Sequence, residues 1–248
     1  MIDTAQAFGV DIGGSGIKAA PVNLEKGEFA EPRYKILTPA VSTPQAVADI
    51  VRQQLEHFEV PADVPVGIAF PAPIKPGKKL DFMANLDQSW IGVDVTEVFS
   101  EACGRPVTVV NDADAAGLAE QRFGAAKDKD GLVIATTLGT GIGTALIYNG
   151  VLIPNTELGH IQLEKGKGDA EKYAASSVRE KLDMGYKKWA KRLTKYYGLM
   201  EKYFNPDLFV VGGGVSRVSE KFLPHIDIKT PIAVSYTHLR AHETDSYL

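Results

Sequence analysis

Apolar and polar residues alternate in two parts of the chain, and both parts predict a pair of strands joined by a glycine turn. The first is FGVDIGGSGIKAA, residues 8–20, where an apolar run leads into the turn and a second alternating run follows it. The second is GLVIATTLGTGIGTALIYNGVLIP, residues 131–154, which repeats this layout and contains Asn149-Gly150, a dipeptide typical of type I′ turns. The repeat predicts two related α/β domains, each opening with a hairpin.

Other patterns predict helices and buried strands around these hairpins. Apolar residues recur at helical spacing after Thr43 and Pro44, which are typical N-cap and first-turn residues. Residues 106–124 predict a strand that turns directly into a helix, and residues 207–216 predict a buried strand, a third glycine turn and a helix. Residues 179–195 belong to a further segment that predicts a helix. Its apolar stripe consists of Leu182, Tyr186, Trp189, Leu193, Tyr197 and Met200.

The composition is that of an ordinary globular protein. The chain has 248 residues, of which 44% are hydrophobic and 23% charged, enough for two modest cores. Neither a signal peptide nor a membrane-length apolar run is seen, so we expect a cytoplasmic protein with no membrane partner. The formal net charge of −4 gives no indication of nucleic-acid binding. Cys103 is the single cysteine, which excludes a zinc site built from several cysteines.

Each glycine turn is also a possible anion site, because backbone N–H groups in tight turns converge into a concave nest. In the first turn Ser15 adds a hydroxyl and Lys18 a mobile positive charge. The third turn ends a buried strand, a usual position for ligand contact in α/β folds. From the glycines alone, the alternative stays open that all three turns only reverse the chain.

Five motifs in order along the chain resemble the ROK family of sugar kinases: DIGGSGIK, NDADAAG, LGTGIGTAL, ELGH and VVGGGVS. The stretches TPQAVA, ANLDQSWIG, NDADAAGLAE and PNTELGH are most similar to the polyphosphate glucokinases of that family. The resemblance covers roughly residues 7–234. It implies a two-domain actin-like ATPase (ribonuclease H-like) α/β fold, with an active-site cleft between domains at 1–110 and 111–234. The tail, residues 235–248, departs from the family pattern as an out-of-frame run would.

The resemblance also implies which residues form the site. Asp112 would be the catalytic base that accepts the proton of the sugar 6-hydroxyl, and Asp11 would bind Mg²⁺. Sugar hydroxyls would contact Asn85, Asn111, Asp112, Glu157 and His160. Donor phosphates would contact Gly13, Gly14, Ser15, Lys18, Gly139, Thr140, Gly141 and Gly143. The nucleotide of ATP would contact Gly212, Gly213 and Gly214.

Asp112 and the residues that follow it allow a second interpretation. From the residues alone, Asp112 serves equally well as a helix N-cap or as a base. With the resemblance, Asp112 becomes the expected base and Asp114 the expected cap.

A local excess of positive charge accompanies the predicted helix at residues 179–195. This segment contains seven basic and two acidic residues in an otherwise acidic chain. An ordinary solvated face and a path for a polyanion are equally consistent with the charges, and the resemblance favours polyphosphate. The residues of this path would be Lys187, Lys188, Lys191 and Arg192.

We therefore expect a homodimeric kinase that transfers a phosphoryl group from inorganic polyphosphate, and also from ATP, to the 6-hydroxyl of glucose. The alternative is a strictly ATP-dependent hexokinase of the same family. A transcriptional repressor would need a helix-turn-helix before the first strand, where about seven residues stand. We expect Mg²⁺ and no zinc, since residues 161–177 lack the cysteines of the family's zinc cluster. His238 and His242 have helical spacing, but no third metal ligand is suggested near them.

Overall fold

The computed structural model describes residues 7–163 and 168–235, and the chain divides into two compact units. The division falls after Ala115, a few residues beyond the predicted boundary at 110, so Asp112 groups with the first unit. His238 and His242 lie outside the described residues, as does nearly all of the predicted tail. No helix in the described part of the chain is long and apolar enough to cross a membrane.

The first unit contains a six-stranded sheet that begins with the predicted hairpin. Its strands are β1 Ala7–Gly13, β2 Gly16–Asn23, β3 Glu28–Phe29, β4 Tyr34–Ile36, β5 Val66–Phe70 and β6 Val107–Asn111. The order is β3-β2-β1-β5-β6, and β4 also pairs with β2. β1 and β2 are antiparallel, whereas β1, β5 and β6 are parallel. The hairpin of β1 and β2 and the strand β6, which leads directly into a helix, confirm the elements predicted for this part of the chain.

Two helices cover this sheet, and their ends follow the capping signals of the sequence. Helix α1, Pro44–His57, is capped by Thr43, whose hydroxyl oxygen accepts a hydrogen bond from the N–H of Ala46. Helix α2, Val95–Cys103, begins after Asp94, whose carboxylate accepts two backbone N–H bonds. The core between helices and sheet centres on three buried aromatic rings, with centroids 4.8 to 6.1 Å apart. These are Phe70, Trp90 and Phe99.

The second unit repeats the strand arrangement of the first. Its strands are β7 Leu132–Leu138, β8 Ile142–Tyr148, β9 Val151–Ile153, β10 Leu208–Gly212 and β11 Ile232–Val234. The order is β11-β10-β7-β8-β9, with β7, β8 and β9 antiparallel and β10 parallel to both β7 and β11. Each sheet therefore has a hairpin on one side and parallel strands on the other. The internal repeat predicted from the two glycine turns is confirmed.

The helices of the second unit depart from prediction at two places. The helices are α3 Asp112–Phe123, whose first turn lies in the first unit, α4 Glu171–Ala174, α5 Ser176–Lys181 and α6 Tyr186–Phe204. The helix predicted across residues 179–195 is broken, because Asp183 adopts a left-handed backbone and Gly185 starts α6. Leu182 is consequently 54% exposed and not part of the stripe. After the third glycine turn, residues 214–221 form a kinked 3₁₀ segment.

Candidate functional site

Three parallel strands carry the predicted site residues of the first unit to one edge of its sheet. Asp11 on β1 lies level with Ala69 on β5, and Phe70 on β5 lies level with Asn111 on β6. The first glycine turn follows β1, and Asp112 follows β6 directly. Ligands of open α/β sheets bind outside the carboxyl ends of the strands, so this edge is the candidate site of the first unit.

Asn111 forms the N-cap of helix α3. Its side-chain oxygen accepts hydrogen bonds from the N–H groups of Ala113, at 3.0 Å, and Asp114, at 3.1 Å, which is the usual N-cap geometry. The prediction that Asp114 caps this helix is wrong, because Asp114 lies inside the first turn and is 2% exposed. Since the Asn111 oxygen is used in capping, its amide NH₂ group is the part that can donate to a sugar hydroxyl.

Asp112 has the properties of a proton acceptor that works near neutral pH. The residue as a whole is exposed, but its carboxyl group is surrounded by enough protein atoms to be partly desolvated. This desolvation, helped by the negative charges of Asp11 and Asp114, raises the pKa of Asp112 to about 6. The N–H of Ala113 donates to Asp112 Oδ1 at 2.8 Å and partly opposes the rise. A general base is most effective when its pKa is close to the working pH.

Asp11 and Lys18 face each other across the first hairpin. Lys18 Nζ lies 3.2 Å from Asp11 Oδ2, and both side chains are partly exposed. An exposed ion pair of this kind adds little to stability. Lys18 could therefore bind a phosphate, or Asp11 a cation, with little loss of stability. The hydroxyl of Thr38 donates to the carbonyl of Gly13 at 2.5 Å and fixes the end of β1.

Asn85 reaches the first glycine turn from a segment held by buried contacts. Trp90 is fully buried and donates through Nε1 to the carbonyl of Ser42 at 2.9 Å. The Ser42 hydroxyl oxygen in turn accepts the N–H of Asp87 at 3.0 Å. Asn85 itself is exposed, and a Cβ placed on Gly14 would lie 3.4 Å from the backbone carbonyl oxygen of Asn85. The structure therefore brings Asn85 close to the turn at Gly14.

We expect two substitutions of Asn111 to separate capping from sugar binding. Asn111→Ala removes the capping oxygen and should lower the free energy of unfolding by about 0.5 to 2 kcal/mol. Asn111→Ser keeps an oxygen that can cap the helix and adds no charge beside Asp112 and Asp114, so its melting temperature should be closer to that of the parent protein. Both variants lose the amide donor and should raise the KM for the sugar that the family resemblance implies, measured at pH 8 with melting curves alongside. A normal sugar KM for Asn111→Ser would restrict Asn111 to capping.

In the second unit, the turn between β7 and β8 contains Gly139, Thr140 and Gly141. The N–H of Gly139 donates to the carbonyl of Gly141 at 3.0 Å and closes the turn. The Gly139 N–H is therefore used inside the turn in this structure, and its contact with a donor phosphate stays a prediction. Gly143 lies beyond the turn, within β8 and opposite Thr137.

The ELGH motif is attached to the start of β8. The hydroxyl of Thr144 donates to the carbonyl of Thr156 at 2.7 Å, and the same oxygen accepts the N–H of Leu158 at 3.1 Å. A Cβ on Gly159 would lie 2.1 Å from the carbonyl oxygen of Ile142. Only glycine permits this approach, which explains the motif's glycine by backbone packing. Glu157 and His160, the two predicted sugar ligands, flank it and are both exposed.

His160 lies in a cluster of carboxylates that sequence reasoning missed. Its Nδ1 is 3.1 Å from Asp169 Oδ2 and 3.9 Å from Glu171 Oε1, and its Nε2 is 3.6 Å from Glu157 Oε2. Glu171 also reaches the second turn, since a Cβ on Gly141 would lie 2.4 Å from Glu171 Oε2. One imidazole and two carboxylates could hold a metal ion here, although they lack the thiolates of the family's zinc cluster. The absence of zinc stays a prediction.

The third glycine turn packs against the end of β7, the strand that leads into the second glycine turn. Gly212 on β10 lies level with Thr137 on β7. Gly213 has a φ of +87°, and a Cβ there would lie 2.5 to 2.9 Å from backbone atoms of Leu138. The second and third turns are therefore neighbours at one sheet edge of this unit.

The four residues of helix α6 that were predicted to contact polyphosphate fall into two groups. Lys187, Lys188 and Lys191 are exposed. Arg192 instead donates to the carbonyl of Tyr173 at 2.7 Å, and its guanidinium carbon lies 4.4 Å from the centroid of that ring. Arg192 thus fastens α6 to α4, which is a structural task that the charge pattern did not reveal.

The strand orders of the two sheets, with glycine turns after β1, β7 and β10, are those of the actin-like ATPase fold. Residues 7–178 match the ROK family, and the chain belongs to this family. Polyphosphate glucokinase of Mycobacterium tuberculosis is 47% identical over 226 residues, 91% of this chain and 83% of its own length. The Mycobacterium leprae polyphosphate glucokinase is 44% identical over 93% of this chain and 70% of its own length.

A solved structure supports the same relationship. Inorganic polyphosphate/ATP-glucomannokinase from Arthrobacter sp. strain KM is 40% identical to this chain and superposes with a TM-score of 0.88. The match covers 96% of this chain and 94% of that one. Family and fold are therefore established together.

Proposed function

We propose that this protein transfers the terminal phosphoryl group of inorganic polyphosphate, and also of ATP, to the 6-hydroxyl of glucose, forming glucose 6-phosphate. The names of the similar proteins support this substrate pair. The observation that carries the chemistry is the Asp112 carboxylate, whose pKa of about 6 suits acceptance of the hydroxyl proton. Asn85, Asn111, Glu157 and His160 bind the sugar hydroxyls in this proposal.

Positioning and charge neutralisation supply the rest of the reaction. Phosphoryl transfer needs the attacking oxygen in line with the leaving group and positive charge or N–H donors around the transferred phosphate. The first turn offers Ser15 and Lys18, and the second turn offers backbone N–H groups. Mg²⁺ fits the exposed oxygen ligand Asp11 and, when bound, would neutralise charge on the donor phosphates. Gly212, Gly213 and Gly214 accept the nucleotide when ATP is the donor.

One assay tests activity and donor together. The protein is incubated with glucose and Mg²⁺, and polyphosphate and ATP are compared as donors at matched phosphate concentration. Formation of glucose 6-phosphate from polyphosphate supports the proposal. Activity with ATP alone would favour the strictly ATP-dependent hexokinase, and no product from either donor would refute kinase activity on glucose. We further propose that the protein is cytoplasmic and forms a homodimer, and sedimentation analysis of the purified protein tests the dimer.

Three exposed lysines in the first half of α6, Lys187, Lys188 and Lys191, are proposed as the path of the polyphosphate chain. Replacing Lys187, Lys188 and Lys191 with glutamine, while Arg192 keeps its structural contact, should raise the polyphosphate KM. If all three contact phosphates, the slope of log KM against log salt should fall by about 2. The glucose KM should stay unchanged.

The matched control removes the same charge from exposed lysines of the first unit. Lys75, Lys78 and Lys79 are exposed, and their replacement with glutamine should leave the salt slope of the polyphosphate KM as it is in the parent protein. Equal slopes for both triple variants would reject the proposed path, because any loss of three charges would then have the same effect.

A further inference from the structure

Ser177 holds the second glycine turn through both of its hydrogen-bonding groups. Its hydroxyl donates to the carbonyl of Thr140 at 2.6 Å, and its backbone N–H donates to the carbonyl of Gly139 at 3.1 Å. One residue of helix α5 thus binds two consecutive carbonyl groups of a turn that lies 37 residues earlier in the chain. Nothing in the local sequence around either segment indicates this contact.

The two bonds determine where the turn's N–H groups point. In a trans peptide, the carbonyl of one residue and the N–H of the next point in opposite directions. Because the Gly139 carbonyl points at Ser177, the Thr140 N–H points away from Ser177. Because the Thr140 carbonyl also points at Ser177, the Gly141 N–H points away as well. Within residues 7–163 and 168–235, neither of these N–H groups makes a hydrogen bond.

Two unbonded N–H groups on adjacent residues, both facing away from α5, form an anion-binding arrangement. The third N–H of the turn, that of Gly139, is already used by the Gly141 carbonyl. Such donors act without reorganisation only when something fixes the peptide planes beforehand. From this geometry we propose that Ser177 is a positioning residue, which aims the Thr140 and Gly141 N–H groups at the donor phosphate. The inference rests on the proposed function, in that the anion is the phosphoryl donor.

Steady-state kinetics of Ser177→Ala tests the role of the hydroxyl. The variant keeps the backbone bond to Gly139 but frees the Thr140 carbonyl, so the donor KM should rise about five- to tenfold. The glucose KM should not change. Ser177→Thr restores a hydroxyl and should return the donor KM to within about twofold of the parent value. An unchanged donor KM in Ser177→Ala, or no recovery in Ser177→Thr, would overturn the proposal.

The neighbouring serine is a matched control. The Ser176 hydroxyl donates to Glu180 at 3.5 Å and makes no hydrogen bond to the turn among the described residues, so Ser176→Ala should keep the parent donor KM. If it raised the donor KM as much as Ser177→Ala, general damage to α5 would explain both.

Pyrophosphate binding followed by amide NMR tests the inference independently of turnover. The largest shifts should fall on Thr140 and Gly141, with a smaller shift on Gly139, and they should shrink in Ser177→Ala. This pattern in a protein without kinase activity would refute the proposed function and still support the role of Ser177. Shifts elsewhere, with none on the turn, would refute the role of Ser177 even in an active kinase.

Discussion

Replacing Asp112 with asparagine is expected to lower kcat by about 10² to 10⁴, the usual contribution of a general base. Asparagine keeps an oxygen that can accept the N–H of Ala113, now bonded at 2.8 Å, but it cannot take the proton of the sugar hydroxyl. The glucose KM should therefore change much less than kcat. Steady-state kinetics with saturating donor measures both parameters.

The matched control is another aspartate whose role is only to cap a helix. Asp94 accepts the N–H groups of Thr96 and Glu97 at the start of α2, and Asp94→Asn retains that acceptor, so its kcat should remain close to the parent value. Asp114, the cap expected from sequence, is a poor control because it is buried. Near-normal turnover of Asp112→Asn would reject the assigned base.

The same residue should produce a pH dependence. Because the pKa of Asp112 is raised to about 6, its carboxyl group is protonated below that value and cannot act as a base. kcat/KM for glucose should therefore fall tenfold per pH unit below about 6, and the residual activity of Asp112→Asn should lack this limb.

The raised pKa also predicts the direction of a stability change. A carboxyl group whose pKa is raised in the folded state disfavours folding once it is ionised. This cost is fully present above about pH 6, and it is relieved as the pH falls from there towards the ordinary pKa of an aspartate. At pH 8, Asp112→Asn removes this cost and should melt at or above the temperature of the parent protein. A lower melting temperature at pH 8 would indicate that Asp112 is a stabilising residue and not one kept for chemistry.

Gly213→Ala is expected to lower the free energy of unfolding by about 2 to 5 kcal/mol, through left-handed backbone strain and overpacking. The added methyl group would lie 2.5 Å from the Leu138 carbonyl oxygen, which belongs to the sheet and cannot move aside. For a chain of this length the melting temperature should fall by roughly 4 to 20 °C. Thermal denaturation followed by circular dichroism measures this change.

Gly214 provides the control in the same glycine run. A Cβ at Gly214 would have no atom within 4 Å, and its φ is not in the left-handed range. Gly214→Ala should therefore melt close to the parent temperature. Equal losses in the two variants would mean that the run is sensitive to any side chain, and the contact with Leu138 would not be the cause.

Sequence patterns predicted those parts of the fold that depend on near neighbours. Alternating residues gave both hairpins, and Thr43 marked the start of α1. The pattern failed where several residues were equally suitable: Asn111, Asp112 and Asp114 can all cap a helix, and only the backbone decides that Asn111 does. It also failed at residues 182–185, since apolar spacing continues through a left-handed residue that ends a helix.

Local sequence patterns could not predict contacts between segments that are far apart in the chain. Glu171 approaches Gly141, and Ser177 binds Gly139 and Thr140, although some thirty or more residues separate these segments. Arg192 was predicted together with three lysines as a polyphosphate contact, whereas in the structure its guanidinium donates to the carbonyl of Tyr173. In each case the neighbour of a polar side chain is supplied only by the tertiary structure.

The packing of Gly213 on Leu138 changes how the third glycine run is interpreted across relatives. Selection for folding alone retains a glycine at this position, because any larger residue would collide with the strand end before the second turn. The glycine at position 213 is therefore explained by the packing of β10 on β7, and its presence in a relative does not by itself indicate a nucleotide as the phosphoryl donor.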